Sequence, residues 1–285
     1  MAEAILNGEI ENEADRPPRR WSLADIPFDK IDRTAVADDR QLFFLVAAAS
    51  FIEITSDTYT RNLIEFCAGD DEVVDWLENG WQHEEVQHGT ALRRYVETAW
   101  PWFDWETAYR NFHGEYMKFC AVDLLAETRA LEMVARCVVE TGTSSFYRML
   151  SDASPEPVLR RLAGFISVDE VGHYKNFYRF FRLYAEREQP SRVDVMRQLL
   201  HRLRVIDAED AAIAFKHVRL TSRPDEPLGD DEYNVFRRGL QPIARRHYRY
   251  EPAVKMLLRP LRLPGLATRV AVPLGTAIAR RSLFT

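Results

Sequence analysis

Two copies of one four-residue pattern stand out in the chain, Glu85-Val86-Gln87-His88 and Glu170-Val171-Gly172-His173. Three residues apart on an α-helix, a carboxylate and an imidazole project from nearly the same face and can grip one cation. A single Glu-x-x-His arises by chance in many long helical chains, so the face it occupies decides its meaning. Leu77, Trp81, Glu85, His88, Leu92 and Tyr95 follow the four-and-three spacing of a buried stripe. Leu159, Leu162, Ile166, Glu170, His173, Phe177, Phe180 and Tyr184 repeat it. Both pairs thus lie mid-stripe among apolar residues, where a carboxylate needs a cation or a proton. Two such pairs facing each other make a metal the simplest answer.

An internal repeat supplies the remaining candidates. Glu53 precedes Glu85 by 32 residues, and Glu140 precedes Glu170 by 30. Eight residues after each upstream glutamate stands an arginine, Arg61 or Arg148, with Leu63 or Leu150 two further on. E-x7-R-x-L leading into Glu-x-x-His therefore occurs twice, as two similar helical hairpins. Paired antiparallel, these would converge Glu53, Glu85, His88, Glu140, Glu170 and His173 on one midpoint. Four carboxylates and two imidazoles are the di-iron inventory of a helical bundle. Glu127 and Glu132 compete with Glu140 for the third-helix position. Arg129 and Arg136, one turn to either side of Glu132, suggest a solvated face; Glu127 falls on an apolar stripe with Leu124, Leu131 and Val134. The repeat favours Glu140.

The elements that must position these residues are all helical. The 285 residues are 46% hydrophobic, enough for one substantial core, and Gly and Pro are too few for a sandwich or barrel. The pattern predicts a disordered Met1–Arg20, an extended arm from Trp21 to Arg33, and helices from about Asp38. The first runs to Phe66, the second from Asp71 to Trp100, a connecting helix from Trp105 to Cys120, the third from Leu125 to Ser151, and the fourth to Glu188 before Pro190. Shorter helices follow over Val193–Arg204 and Ala208–Val218, then a loop over Thr221–Asp231. Three regions result: a flexible arm over 1–37, a four-helix bundle over 38–220, and a basic helical tail over 221–285. The net charge of -6 conceals that tail, whose last fifty residues carry Glu251 as their only acid. Cys67, Cys120 and Cys137 have no CxxC spacing, which points away from disulfides and zinc ribbons and toward a reducing cytoplasm. The acidic N-terminus has no secretory pattern, and no run is expected to reach the length of a membrane span.

The sequence resembles the ferritin-like di-iron carboxylate superfamily over about Gln41 to Tyr184. Its second and fourth helices are most similar to acyl-carrier-protein desaturases, whose motifs read E-E-x-x-H-G and D-E-x-x-H; here they are Glu84-Glu85-Val86-Gln87-His88-Gly89 and Asp169-Glu170-Val171-Gly172-His173. The third helix departs from the desaturase wording. The resemblance implies an all-α, ferritin-like bundle of two antiparallel hairpins with extra C-terminal helices. It implies Glu85, His88, Glu170 and His173 as ligands completed by Glu53 and Glu140, with Glu84 and Asp169 each orienting an imidazole through its free N–H. Thr143 and Ser144, one turn after Glu140, stand where related oxygenases place a proton-delivering hydroxyl, although helical Ser and Thr commonly bond back to their own backbone. Met133, Cys137, Phe146, Phe177 and Phe180 would be core or the lining of an apolar substrate pocket.

Four carboxylates match the charge of two Fe(II) ions and can switch between bridging and terminal binding. Magnesium and calcium rarely take imidazole, zinc favours tetrahedral sites, and manganese stays open as an alternative. The expected activity is a di-iron oxidoreductase that uses dioxygen to hydroxylate, desaturate or N-oxygenate an organic substrate. A ferroxidase or peroxidase without organic substrate, and a bundle with a relic site, are the alternatives. Electrons would come from a separate ferredoxin or reductase, since no flavin or nicotinamide motif is evident. A radical-generating reductase subunit fits less well, because Leu92 occupies the place of its tyrosine; Tyr59, Tyr147 and Tyr174 are other redox candidates. Storage ferritins are shorter, and a rubrerythrin-like site needs four cysteines. His83, His113, His201, His217 and His247 read as surface or structural. The basic tail suits an acidic carrier protein, a ferredoxin or an anionic membrane surface. Nothing points to nucleic acid, and a homodimer is the default assembly.

Overall fold

The computed structural model describes residues 21–119, 125–206 and 210–282; Met1–Arg20, Cys120 and Leu124 lie outside the described residues. Among these residues all regular structure is helical. Thirteen α-helices follow in order: α1 Arg40–Ile54, α2 Ser56–Phe66, α3 Asp71–Trp76, α4 Gln82–Ala99, α5 Trp105–Tyr116, α6 Arg129–Ala153, α7 Pro157–Glu188, α8 Arg192–Ile206, α9 Asp210–Ser222, α10 Glu232–Gly239, α11 Gln241–His247, α12 Tyr250–Leu258 and α13 Gly265–Ser282.

Local chemistry sets where the long helices begin and end. Asp39 accepts from Leu42 N, Asp104 from Thr107 N and Thr128 from Leu131 N, each satisfying an amide that the helix cannot. Glu156 does the same for α7, with Pro157 at the first helical position; Gln189 closes that helix in the left-handed region just before Pro190. Two of the expected helices are interrupted. The first breaks at Thr55, whose hydroxyl bonds back to the Phe51 carbonyl at 2.8 Å. The second widens into a π turn over Leu77–Trp81 before α4.

Helices α1 and α4 pack together, as do α6 and α7, and α4 crosses to α7. The side chains between them sort into two apolar clusters. Phe51, Leu92, Tyr147 and Ile166 belong to one; Leu63, Trp81, Cys137 and Phe177 belong to the other. Each of the four site-bearing runs contributes to both clusters, and its glutamate falls between them. The acidic layer is therefore sandwiched by apolar cores, in which each fully buried Leu or Phe contributes about 1.5–3 kcal/mol.

The remaining chain wraps this frame. Residues 21–37 do not extend as an arm. They coil through three 3₁₀ turns and bury Trp21, Ile26, Phe28 and Val36. Helix α9 packs on α1 and α5, with Lys216 and His217 both bonded to Glu115. Buried Arg219 donates to Glu232 and to the Pro227 carbonyl, which pins the loop before α10. Helices α11 and α12 lie against α6, and Tyr174 donates to the Met256 carbonyl at 2.7 Å. One stretch, Arg40–Phe66, is long and apolar enough to cross a membrane, contrary to the sequence expectation, but it is mostly buried inside the protein.

Candidate metal centre

Glu53 comes from α1, Glu85 and His88 from α4, Glu140 from α6, and Glu170 and His173 from α7; all six are buried. Their donor atoms fall into two groups. Glu53, Glu85, His88 and Glu170 form one, and Glu85, Glu140, Glu170 and His173 the other, with the atoms of each group within 4.8 Å of one another. Glu85 and Glu170 are common to both.

The oxygens of these two shared carboxylates are divided between the histidines. His88 Nδ1 lies 4.0 Å from Glu85 Oε2 and 3.2 Å from Glu170 Oε1. His173 Nδ1 lies 3.1 Å from Glu85 Oε1 and 3.7 Å from Glu170 Oε2. Each shared carboxylate thus turns one oxygen toward each imidazole, as a bridge between two cations would. Glu53 Oε2 stands 3.8 Å from His88 Nδ1, and Glu140 Oε2 stands 3.6 Å from His173 Nδ1, in terminal positions.

Which ring nitrogen faces inward is fixed from outside. His88 Nε2 is 3.0 Å from Asp169 Oδ2, and His173 Nε2 is 2.8 Å from Glu84 Oε2. In the neutral ring, donation through Nε2 leaves each Nδ1 as a lone pair directed at carboxylate oxygens. Both Nδ1 atoms, Glu140 Oε2 and Glu170 Oε1 are buried without a hydrogen-bond partner. Acceptors facing acceptors in a dry layer need positive charge between them.

Electrostatics state the same need. Burial, with the charges of Glu170 and Glu53, pushes the Glu85 carboxyl well above its usual range, and burial with Glu170 raises Glu140 to about 8. Burial alone would depress the two histidines, but the carboxylates around them hold both well above the usual range. Burial would raise Glu170, yet contacts with His173 and His88 hold it well below. Without cations, protons are drawn in to neutralise the cluster. Two divalent cations would balance its four carboxylates and two neutral imidazoles, and the donor set is one of oxygens with two nitrogens.

Further partners were not evident in the sequence. Tyr147 donates to Glu53 Oε1 at 2.5 Å. Trp21, from the N-terminal turns, donates to Asp169 Oδ2 at 2.6 Å and stacks parallel to His88 with ring centroids 6.0 Å apart. Trp76 and Trp81 stand steeply against the His173 ring, each with centroids 6.4 Å apart. Gly89, next to His88, lets α4 meet α1 at Ile54, next to Glu53.

The other expected residues divide. Thr143 places its hydroxyl 2.6 Å from Glu170 Oε2, closer than its own-helix carbonyls at 3.3 Å. Ser144 instead turns its hydroxyl back to the Thr141 carbonyl at 3.2 Å and does not serve the cluster. Glu127 precedes α6 and is exposed, so it lies on no buried stripe. Glu132 is not solvated; it is buried with Arg136 in a 2.9 Å ion pair and accepts from Ala126 N. Neither reaches the metal groups. Of the repeat arginines, Arg61 is exposed and Arg148 pairs with Asp152, whereas Leu63 and Leu150 are both buried. Met133, Cys137, Phe177 and Phe180 are packed in one apolar cluster, and Phe146 is half-buried against the other. A cavity of about 180 Å³ lies outside the imidazole-orienting acids, lined by Trp21, Asn79, Gly80, His83, Glu84, Gln87 and Asp169. Cys67 and Cys137 are free thiols, and His217 is buried on Glu115. Comparison with protein-family models, with curated proteins and with solved structures returned no match.

Proposed function

We propose that the helices carrying these six residues form a ferritin-like four-helix bundle holding two iron ions, and that the protein is an oxidoreductase that uses dioxygen to oxidise an organic, apolar or carrier-linked substrate. The observation that carries this reading is the division of the Glu85 and Glu170 oxygens between two imidazoles whose inward nitrogens have no other partner. His88, Glu53 and the shared carboxylates would hold one ion; His173, Glu140 and the same carboxylates would hold the other. Iron held by these residues would supply the electrons for dioxygen reduction, and a separate ferredoxin or reductase would replenish them.

The chain's own groups would do the rest. Asp169 and Glu84 fix the imidazole tautomers, and the indoles of Trp21, Trp76 and Trp81 keep water from the histidines. Thr143 would hold a hydroxyl proton at Oε2 of the shared carboxylate Glu170, from where it could be passed on to reduced oxygen. Tyr147 holds another at Glu53.

Anaerobic reconstitution with Fe(II), metal analysis and optical spectra on oxygen exposure test the reading. Two irons per chain are expected, with Glu85→Ala and His173→Ala losing metal and oxygen consumption together. Full metal content in both variants would remove the site. Sustained turnover of Fe(II) or peroxide alone would replace the organic oxidation by a ferroxidase or peroxidase, and a protein that stays metal-free would mark a relic.

A further inference from the structure

Helix α13 keeps one apolar face for the protein and shows another to solvent. Val272 is buried, and Gly275 lies so near α12 that an added Cβ would come 2.9 Å from Val254 Cγ1. On the outer side Leu266, Val270, Leu274 and Ile278 succeed one another at four-residue intervals, 79, 68, 60 and 57% exposed. Ala267, Pro273 and Ala277 lie exposed between them. Surface helices ordinarily turn their apolar stripe inward. A second stripe facing outward calls for something to cover it.

The charges say what. Arg269, Arg280 and Arg281 are the charged residues of α13, and no Asp or Glu occurs anywhere after Glu251. A two-fold contact with a second copy would bring this patch against itself. Arginines would then meet arginines, with no carboxylate on the helix to take them up. An anionic bilayer answers both features, since acyl chains receive the apolar stripe and lipid phosphates receive the guanidinium groups of Arg269 and Arg281, Arg280 lying over the Tyr250 ring. Spanning is excluded by 18 residues interrupted by Pro273 and three arginines. The geometry points to α13 as an interfacial helix that docks the protein flat on a negatively charged membrane. This docking is independent of what the buried glutamates hold.

Flotation of the full chain with lipid vesicles tests it. Vesicles of phosphatidylcholine with about a third phosphatidylglycerol should carry the protein at low salt, and phosphatidylcholine alone should not. Leu274→Ser should lower partitioning about tenfold, and V270S/L274S/I278S should abolish it. Arg269→Gln with Arg281→Gln should weaken binding by about tenfold or more and flatten its salt dependence. These side chains are exposed, so circular dichroism and the melting curve should not change. The proposal is overturned if wild type stays unbound on anionic vesicles at low salt, or if the triple serine variant floats as well as wild type. A sedimentation dimer that the triple variant dissolves, with no vesicle binding, would assign the face to a second copy.

Discussion

Gly89→Ala separates the helix contact from the ligands themselves. A Cβ on residue 89 would lie 2.5 Å from Ile54 Cα, 2.7 Å from Ile54 Cβ and nearer still to the Ile54 nitrogen. Ordinary contact begins near 3.4 Å, so α1 and α4 must part by about 1 Å, against backbone that cannot swing aside as a side chain could. Ile54 and Gly89 directly follow Glu53 and His88, whose Oε2 and Nδ1 stand 3.8 Å apart. Metal–ligand distances tolerate only about 0.2 Å. The displacement is therefore several times what the His88 half of the centre can absorb. The other half, built on α6 and α7 with Glu85, should suffer less.

If the proposed di-iron centre holds, the expected result is a folded protein that loses about one of two irons per chain, with an overpacking cost of about 1–3 kcal/mol. For a chain of this size that corresponds to a fall in Tm of roughly 2–10 °C. Metal analysis and thermal melting measure the two effects. Gly172→Ala is the control, since it lies inside the second Glu-x-x-His but meets nothing within 4 Å. It should keep both irons and gain about 0.5–1 kcal/mol from helix propensity. Wild-type iron content and Tm in Gly89→Ala would refute the close-contact reasoning.

Asp169→Asn and Glu84→Gln should each weaken iron binding by about 10–100-fold without unfolding, because the imidazole loses the carboxylate that orients it; unchanged affinity in a metal titration would count against that role. In the metal-free protein, Glu140 (raised to about 8), His88 and His173 all hold protons more tightly when folded. Their stabilisation is complete below their unfolded values and is lost as pH rises, for Glu140 between about 4.5 and 8. Metal-free protein should thus melt lower at about pH 8 than at about pH 6, and iron should reverse the trend by displacing those protons; a metal-free Tm that climbs with pH over that interval contradicts the charge balance. Arg136→Ala strands the buried Glu132 carboxylate at a cost of about 3–5 kcal/mol, while Glu132→Leu with Arg136→Met should melt closer to wild type. Equal Tm values for the single and double variants would disprove the pairing.

What the sequence revealed and what it hid follow one physical division. Every residue of the two stripes, from Leu77 to Tyr95 and from Leu159 to Tyr184, is buried, because helical periodicity is a local property that a sequence displays directly. Glu140 was reachable only through the repeat, since its partners lie on other helices. Glu132 misled because flanking arginines read as solvated until α8 packs against α6 nearby. Glu127 misled because its stripe assumed a helix that begins only after Thr128. Trp21 and Tyr147 reach their partners across 148 and 94 residues of chain, and no spacing rule connects positions that far apart. The break at Thr55, where a hydroxyl bonds back to the Phe51 carbonyl, and the π turn over Leu77–Trp81 leave the apolar periodicity of their helices intact, so the pattern does not mark them.

Those long-range partners make the two halves of the centre unequal, although the repeat supplies equal ligands. Seven residues after Glu140 stands Tyr147, which crosses to Glu53; seven after Glu53 stands Thr60, which only bonds back to Ser56. Three after Glu140 stands Thr143, bonded to Glu170, whereas Ser56, three after Glu53, keeps a buried hydroxyl without a partner. Asp169 is nearly enclosed beneath Trp21, but the Glu84 side chain is 37% exposed. One terminal glutamate has an oxygen committed to a phenol, and the other ends in an oxygen with no donor. Identical ions placed in these halves would therefore meet different proton donors and different access to water. That inequality is set by side chains other than the six candidate ligands, so it can change while those six stay fixed.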